Sequence, residues 1–411
     1  MLARAVVTII FFAMPSLAFP QAKPLSRERL RSHAEKDIRI LRDPVDCYVQ
    51  AGFPEYTGLF GRDSLIVSWE LIDYDPTIAR CTLAMLVKFQ GEKVDPKTGE
   101  EPGKILHEWH KPEETNYERD WSFPYYGSAD STPLFIYVSG LYFEKTCEKT
   151  CDHEWLSDMW PHIEAALAWC ETYGNLRGDG FIAYERKTPI GLFHQGWKDA
   201  DDNHLKLAPP VAMVEIQGYY YAALLQATEM ARATGKNVRA QKLLAEAALL
   251  KKNFINTFWL ADKQWLAFAL DKNNADPRVA SNQGQILFSG ILDGEPEKAV
   301  AVAARLFQSD MWTPFGIRTY SSANEDFDPF SYHLGSIWPH DNWIIAQGLK
   351  RLGLTDEYAR VKNAQIAAAR ILHGDLPELY FVKNGKLIRD PEACVPQGWA
   401  SGGLLNFLTS E

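Results

Sequence analysis

The sequence lacks the features that point to a protein acting on nucleic acids or nucleotides. Its 411 residues carry a net charge of −10 at pH 7, with 43 Lys and Arg against 53 Asp and Glu. An acidic surface repels phosphate backbones, so we expect no nucleic-acid partner. There is no glycine-rich phosphate-binding loop, which argues against a nucleotide enzyme. The sequence also has no Gly/Ser linker and no long run of charge, which favours a single domain.

Long hydrophobic runs are scarce, and the clearest one stands at the N-terminus. Arg4 precedes the apolar residues 5–14, and residues 16–18, Ser-Leu-Ala, form a small-x-small cleavage motif. So short a run predicts a signal peptide over residues 1–18 rather than a membrane span, with an uncleaved anchor as the alternative. No later segment is apolar for long enough to span a bilayer. We therefore expect a secreted or periplasmic protein with one domain over residues 24–411.

Cysteine is also sparse, with six residues in the chain. An even number in an exported protein permits disulfides. Cys147 and Cys151 are the pair we expect, because they lie close together at a predicted turn between two helices. His153 alone beside them does not complete a zinc site, which needs more ligands. We expect no metal site here.

What the sequence does contain is helical periodicity, with 46% hydrophobic residues, 13 Trp and 17 Tyr. Apolar spacing and stop signals place twelve helix starts. They lie near Ser26, Arg62, Asp75, Asp130, His153, Pro210, Asn237, Asn282, Glu295, Pro339, Thr355 and Pro396. Strand signals are few, the clearest being a hairpin around Asn384-Gly385, which suits a type I′ turn. We predict an all-α fold, an (α/α)6 barrel of six helical hairpins with a few short β-hairpins and with the even-numbered helices inside.

Polar and aromatic motifs precede or open every even-numbered helix. In order they are TGLFGRDS, FPYYGSADST, GLFHQGWKDADDN, ASNQGQ, FSYHLGSIWPHDN and CVPQGWASGG. In an alternating ring those helix ends share one face, so the motifs predict a single funnel. Indole rings stack on the C–H faces of sugars, and carboxylates and guanidinium groups bind hydroxyls. The predicted ligand is therefore a sugar, and cleavage of a glycosidic bond would require two carboxyl groups beside it.

Six motifs between Leu59 and Gly403 carry a family resemblance. They are FGRDSL, YYGSADSTPLF, QGWKDADD, YHLGSIWPHDN, LPELY and VPQGWASGG. As a set they resemble the (α/α)6 catalytic barrel of glycogen-debranching-type amylo-α-1,6-glucosidases, which are related to processing α-glucosidase I and trehalase. The resemblance implies an inverting, exo-acting hydrolase of α-glucosidic bonds in oligosaccharides. It implies Asp199 as general acid, with Asp201 and Asp202 as rivals, and Glu378 as general base.

The motifs also supply candidate sugar-binding residues. These are Arg62, Asp63, Tyr126, Asp130, Trp197, Gln283, Trp338, His340, Asp341, Gln397 and Trp399. Some have a structural alternative: Asp63 suits the first turn of a helix, Asp130 a helix N-cap, His340 a core histidine and Trp399 plain core. We expect Trp197 to shield Asp199 from water and to raise the pKa of that carboxyl, with the neighbouring Lys198 pointing away.

Residues 199–203, Asp-Ala-Asp-Asp-Asn, begin like a calcium-binding loop, but the Gly and the distal Glu of such a loop are absent. We therefore expect no cofactor, and a structural calcium ion has no further support. Export, together with a barrel that begins soon after the signal peptide, disfavours glycogen as the substrate. The alternatives are a trehalase-like or glycosylglycerate hydrolase and a non-catalytic carbohydrate-binding barrel. We expect a monomer.

Overall fold

The structure is a computed structural model, and it describes residues 25–112, 121–188 and 190–410. The predicted signal peptide lies outside the described residues. Within them, the chain forms twelve α-helices. These are α1 Arg27–Leu41, α2 Gly61–Glu70, α3 Pro76–Lys88, α4 Ser131–Cys147, α5 His153–Glu171, α6 Val214–Ala233, α7 Asn237–Phe258, α8 Asn282–Gln285, α9 Pro296–Leu306, α10 Pro339–Arg351, α11 Thr355–Ile371 and α12 Gly398–Thr409. Each begins within four residues of its predicted position. The 3₁₀ helix Ile286–Phe288 extends the short α8.

The even-numbered helices form a closed inner ring, and the odd-numbered helices pack outside it. Contacts run from α2 to α4, α6, α8, α10, α12 and back to α2. On the outside, α1 packs on α12, α3 on α2 and α4, α5 on α4, α7 on α6, α9 on α8, and α11 on α10. The prediction of an all-α (α/α)6 barrel is thereby confirmed.

The sequences of two helices explain their layers. In α1, the Ser26 hydroxyl accepts a hydrogen bond from the backbone nitrogen of Arg29, and buried residues follow one face. Such a helix is amphipathic, with one buried face and one solvent-exposed face. In α2, every residue from Gly61 to Glu70 is buried. A helix surrounded by neighbours on all sides belongs in the inner ring.

Five antiparallel two-stranded sheets connect the loops of the described chain. Their strands are β1 Leu59–Phe60 with β2 Glu108–Trp109, β3 Ala212–Met213 with β6 Ala269–Leu270, β4 Trp259–Leu260 with β5 Trp265–Leu266, β7 Trp312–Thr313 with β8 Gly316–Ile317, and β9 Tyr380–Lys383 with β10 Lys386–Arg389. Asn384 and Gly385 take positive φ angles of 51° and 72° between β9 and β10, as the hairpin motif predicts. Since β1 leads directly into α2 and β3 into α6, these ribbons fix where two inner helices begin.

Two disulfides link the outer parts of the described chain. Cys147 pairs with Cys151 at the end of α4, the pair that the sequence suggests, and Cys47 pairs with Cys81. Cys170 and Cys394 are buried as free thiols. Across the described residues, none of the helices combines the length and the apolar character that a membrane crossing requires.

Candidate active site

A cavity of about 180 Å³ lies at the N-terminal ends of the inner helices. Its described lining comes chiefly from the segments that precede or open α2, α6, α10 and α12, with further residues around β2. The lining residues are Tyr56, Phe60, Arg62, Asp63, His107, Glu108, Trp121, Leu192, Trp197, Asp199, Ala200, Tyr332, Trp338, Glu378 and Trp399. Among the described residues, the first turns of α4 and α8 contribute none. The funnel of the sequence motifs is therefore built by four helix ends rather than six.

The structure brings seven of the predicted site residues to this cavity. They are Arg62, Asp63, Trp197, Asp199, Trp338, Glu378 and Trp399. Of the two rival acids, Asp202 has a side chain that is 74% exposed, and Asp201 is likewise exposed. Neither is among the described lining residues. Asp199 is consequently the carboxyl group of its loop that faces the cavity.

Three predicted sugar ligands lie away from the described lining. The Tyr126 hydroxyl donates to the backbone oxygen of Phe89 at 2.7 Å. The Gln283 amide accepts from the backbone nitrogen of Ala280 and donates to a neighbouring carbonyl. Asp130 is fully buried and accepts from Arg62 at 3.1 Å. Backbone groups or an arginine contact the polar atoms of these three residues, and that they bind the sugar stays a prediction.

Three further candidates support the cavity wall from behind. The His340 ring stacks on Trp399, with 3.9 Å between the ring centroids. With its amide nitrogen toward the Ala51 carbonyl, the Gln397 side chain also accepts from the Trp399 indole nitrogen at 3.1 Å. The Asp341 carboxyl accepts from a buried glutamine at 2.5 Å. These residues hold the wall in place, and the structure does not put them in the lining as the sequence predicts.

Arg62 connects the acid loop to the inner ring. Its guanidinium donates to the Asp199 carboxyl, to Asp130 at 3.1 Å and to the backbone oxygen of Gly196 at 2.8 Å. Burial lowers the pKa of Arg62, but the charges of Asp130, Asp199 and Asp63 outweigh burial and raise it. Arg62 is therefore a fixed cation beside the predicted acid. The sequence interpretation, which assigned Arg62 to the sugar, did not anticipate this pairing.

Glu378 lies in a different environment. Its side chain is 5% exposed, and its carboxyl accepts a hydrogen bond of 2.7 Å from the Tyr332 hydroxyl. Burial raises the pKa of Glu378 to about 8, with the Tyr332 bond acting against it and nearby carboxylates adding to it. Burial also raises the pKa of Asp63 to about 7, although Arg62 lowers it. Two carboxyl groups of the cavity thus hold protons near neutral pH.

Lys198 points away from the cavity, as expected. Its ammonium is 1% exposed and donates to the backbone oxygen of Thr319 at 2.5 Å. Trp197 and Asp199 on either side of it face the cavity. The alternation along this loop explains why one short segment contains an indole, a lysine and a carboxylate: two of them serve the cavity and one anchors the loop.

Several lining residues were not among the predicted site residues. Glu108 in β2 contacts His110 at 2.8 Å and accepts from the Trp121 indole at 3.1 Å. The motif ILHEWH, which places a carboxylate among rings, was the available signal. Tyr332 stands inside the motif that precedes α10, but its phenol was not singled out as a partner for Glu378.

The cavity combines flat aromatic walls with several carboxyl groups and one arginine. Among the described residues, no group of three or more His, Cys, Asp or Glu side chains is arranged to hold a metal ion. Aromatic rings and hydroxyl-binding groups suit a sugar, and paired carboxyl groups suit glycosidic cleavage without a metal. In an (α/α)6 barrel this arrangement is typical of a glycoside hydrolase.

Comparison with known proteins defines the family. The sequence model described as "Mannosylglycerate hydrolase MGH1-like glycoside hydrolase domain" matches residues 56–392. The chain therefore belongs to the MGH1-like family of glycoside hydrolases. This confirms the (α/α)6 glycoside hydrolase part of the resemblance; the family match does not extend to the debranching type.

Individual relatives agree with that assignment. The mannosylglycerate hydrolases MGH1 and MGH2 of Selaginella moellendorffii are each 32% identical over 88 residues, which is 20% of this chain and 18% of either relative. The match thus spans less than a fifth of those relatives. The GH63 mannosylglycerate hydrolase of Thermus thermophilus has the same fold. Its complex with Tris and D-glycerate gives a TM-score of 0.70 at 14% identity, over 93% of this chain and 100% of that one.

Proposed function

We propose that the chain hydrolyses α-glycosidic bonds at the end of a small glycoside with inversion of the anomeric centre. Asp199 is the general acid and Glu378 the general base. The observation that carries the proposal is that these two carboxyl groups line one cavity from different loops, one preceding α6 and the other preceding α12. Paired carboxyl groups beside a glycosidic bond are the requirement for this reaction.

The proposed reaction assigns a role to each group. Asp199 donates a proton to the leaving oxygen while Glu378 removes a proton from a water molecule on the opposite face of the sugar. That water attacks the anomeric carbon as the bond to the leaving oxygen breaks. Tyr332 orients Glu378 through its hydrogen bond of 2.7 Å. The leaving alcohol is released with the proton from Asp199, and Glu378 retains the proton from water.

The cavity favours a small substrate that is cut from one end. Its volume of about 180 Å³ is smaller than that of a typical ligand pocket. A glycoside with a short aglycone suits this size, so we propose that the enzyme acts at the end of its substrate.

Two substrate classes are consistent with the site. An α-glucoside of a short oligosaccharide is the first, from the motif resemblance. A mannosyl- or glucosylglycerate is the second, and it is favoured by the family match over residues 56–392. The aglycone is a sugar in one case and a three-carbon acid in the other, so the two are separable by a substrate panel.

Proton NMR of the purified protein tests the proposal directly. The panel contains maltose, isomaltose, panose, trehalose, glucosylglycerate and mannosylglycerate. We expect the β-anomer of the released sugar to be the first product from an α-linked donor, because inversion precedes mutarotation. An initial α-anomer would contradict the inverting mechanism. No product, combined with saturable ligand shifts, would indicate a carbohydrate-binding barrel instead.

Export is part of the proposal. Since residues 16–18 form a cleavage motif, the mature protein should begin at Phe19 when the full chain is expressed in a bacterial host. N-terminal sequencing of the periplasmic or secreted fraction measures this. A protein that retains Met1 in the cytoplasmic fraction would contradict it.

A further inference from the structure

Lys198 follows Trp197 and precedes Asp199, yet its side chain enters the barrel wall. It is 1% exposed, and its ammonium donates to the backbone oxygen of Thr319 at 2.5 Å. The rings of Trp197 and Tyr320 lie 5.0 and 5.8 Å from the ammonium. A lysine held by packing and by a hydrogen bond fixes the backbone on either side of it, including the residue that bears the predicted acid.

Thr319 is itself bound to the segment that leads toward the base. Its backbone nitrogen donates to the Ser336 oxygen at 2.9 Å, and its hydroxyl donates to the same oxygen at 3.0 Å. Ile337, which follows Ser336, exchanges backbone hydrogen bonds of 2.8 and 3.0 Å with Tyr380. Tyr380 lies two residues after Glu378. A series of hydrogen bonds therefore connects Lys198, the neighbour of Asp199, to strand β9, which follows Glu378.

A second connection joins the same two loops. The His333 Nε2 atom lies 3.1 Å from the backbone oxygen of Asp199. The adjacent Tyr332 donates to the Glu378 carboxyl at 2.7 Å. Residues 319–337, which we call the spacer segment, thus contact the acid loop on one side and the base on the other.

We propose that Lys198 is a positioning residue that ties the Asp199 loop to the spacer segment and so sets the distance of the acid from Glu378. The proposal rests on the proposed function. Inversion requires about 6.5–9.5 Å between the carboxyl groups, so that a water fits between them. Lys198 is not among the described lining residues, and it acts through the backbone of Asp199. The Tyr332–Glu378 hydrogen bond does not involve Lys198, so we expect it to persist when Lys198 is replaced.

The test depends on the leaving group of the substrate. An alcohol aglycone needs a proton from the acid, whereas fluoride leaves without one. We expect Lys198→Met to lose about 100-fold in kcat on the glycoside that the wild-type protein cleaves, with little change in KM. On the matching α-glycosyl fluoride, the loss should stay below about tenfold. Lys198→Arg retains a donor and should recover most of the loss.

Lys104 offers a matched control. It is also a buried lysine, 6% exposed, whose ammonium donates to the backbone oxygen of Gly99 at 3.3 Å and lies 5.4 Å from the Trp169 ring. Lys104→Met should lower thermal stability and leave the ratio of the two rates unchanged.

Equal losses on glycoside and fluoride, or no loss, would overturn the positioning role of Lys198. If thermal melting shows that Lys198→Met does not fold, Lys198→Gln is measured by the same ratio. Its neutral and shorter amide should show the same preferential loss on the glycoside. A wild-type protein that cleaves neither substrate would reject the proposed function itself, which separates the two failures.

Discussion

The two carboxyl groups assigned to catalysis lie in contrasting surroundings. Asp199 contacts the buried guanidinium of Arg62, and 23% of its side chain is exposed. Glu378 is 5% exposed and, in the described part of the chain, accepts from the neutral phenol of Tyr332. A neighbouring cation favours the ionised form of a carboxyl group, and burial favours the protonated form. Burial raises the pKa of Glu378 to about 8, and a buried cation lies beside Asp199.

The reaction requires the base to be ionised, and burial works against ionisation of Glu378. The comparison teaches that the two carboxyl groups depend on different neighbours, a buried cation at Asp199 and a neutral hydrogen-bond donor at Glu378. Replacing each group in turn tests the two sides of this comparison.

The largest effect is expected from the carboxyl groups themselves. Asp199→Asn and Glu378→Gln should each lower kcat/KM by about 10³-fold or more, because each removes one partner of the acid–base pair. Steady-state kinetics on the preferred substrate measure this. Asp201→Asn is the matched control in the same loop, and its exposed side chain should leave the rate within about twofold. A similar loss in the control would move the acid to Asp201.

The second-largest effect is expected when the cation beside Asp199 is removed. Arg62→Met removes the cation that Asp199 and the buried Asp130 share. We expect a loss of about 3–5 kcal/mol in unfolding free energy, because a buried partner is left unpaired. We also expect kcat/KM to fall by about 100-fold, through misplacement of the acid.

A matched variant separates those two losses. Arg239 pairs with Glu164 and Glu171 outside the described cavity lining, at 3.2 and 2.8 Å. Arg239→Met should destabilise the fold while the enzyme that remains folded keeps its kcat. Chemical denaturation and kinetics at a temperature well below melting measure the two properties. If both variants lost kcat equally, Arg62 would have no particular role in the site.

The sequence predicted the fold better than the site. Periodicity and stop signals placed all twelve helices, because apolar spacing and caps are local properties of the chain. The resemblance of the motifs to a known family, rather than periodicity, supplied Asp199 and Glu378 as the two catalytic candidates. It did not separate lining residues from those behind them: Asp130 lies beneath Arg62, and Gln283 bonds to backbone. Tertiary packing decides which of two adjacent polar groups reaches a cavity. The periodicity of the sequence contains no information about that packing.

The third effect is expected when the hydrogen-bond donor to Glu378 is removed. The Tyr332 hydroxyl favours the charged form of Glu378 and so lowers its pKa, which burial raises to about 8. Removing the donor in Tyr332→Phe should raise that pKa further. Since a base works only when ionised, the acidic limb of the kcat/KM profile should move to higher pH. Activity at pH 6 should fall about tenfold, and activity at pH 9 should change less.

A hydroxyl elsewhere controls for the loss of a buried hydrogen bond. Tyr126 donates to a backbone oxygen at 2.7 Å and lies outside the described lining. Tyr126→Phe should therefore keep the wild-type pH profile. A profile for Tyr332→Phe that coincided with that of the wild type would show that the phenol does not influence the base.

The smallest effect on activity is expected from replacing Glu215. This residue tests the effect of burial on the pKa of a carboxyl group that has no catalytic role in the proposal. Burial raises its pKa to about 8, as for Glu378, but it lies outside the described lining. A carboxyl whose pKa is raised on folding stabilises the fold below its unfolded pKa, and this contribution is lost as pH rises toward 8. Wild-type melting temperature should therefore fall between pH 5 and pH 8.5.

The variant Glu215→Gln stays neutral at this position and should remove part of that fall in melting temperature, about 3 °C or more. The exposed Glu229→Gln should leave the slope unchanged, and equal slopes in all three proteins would mean that burial does not control the protonation of these carboxyl groups.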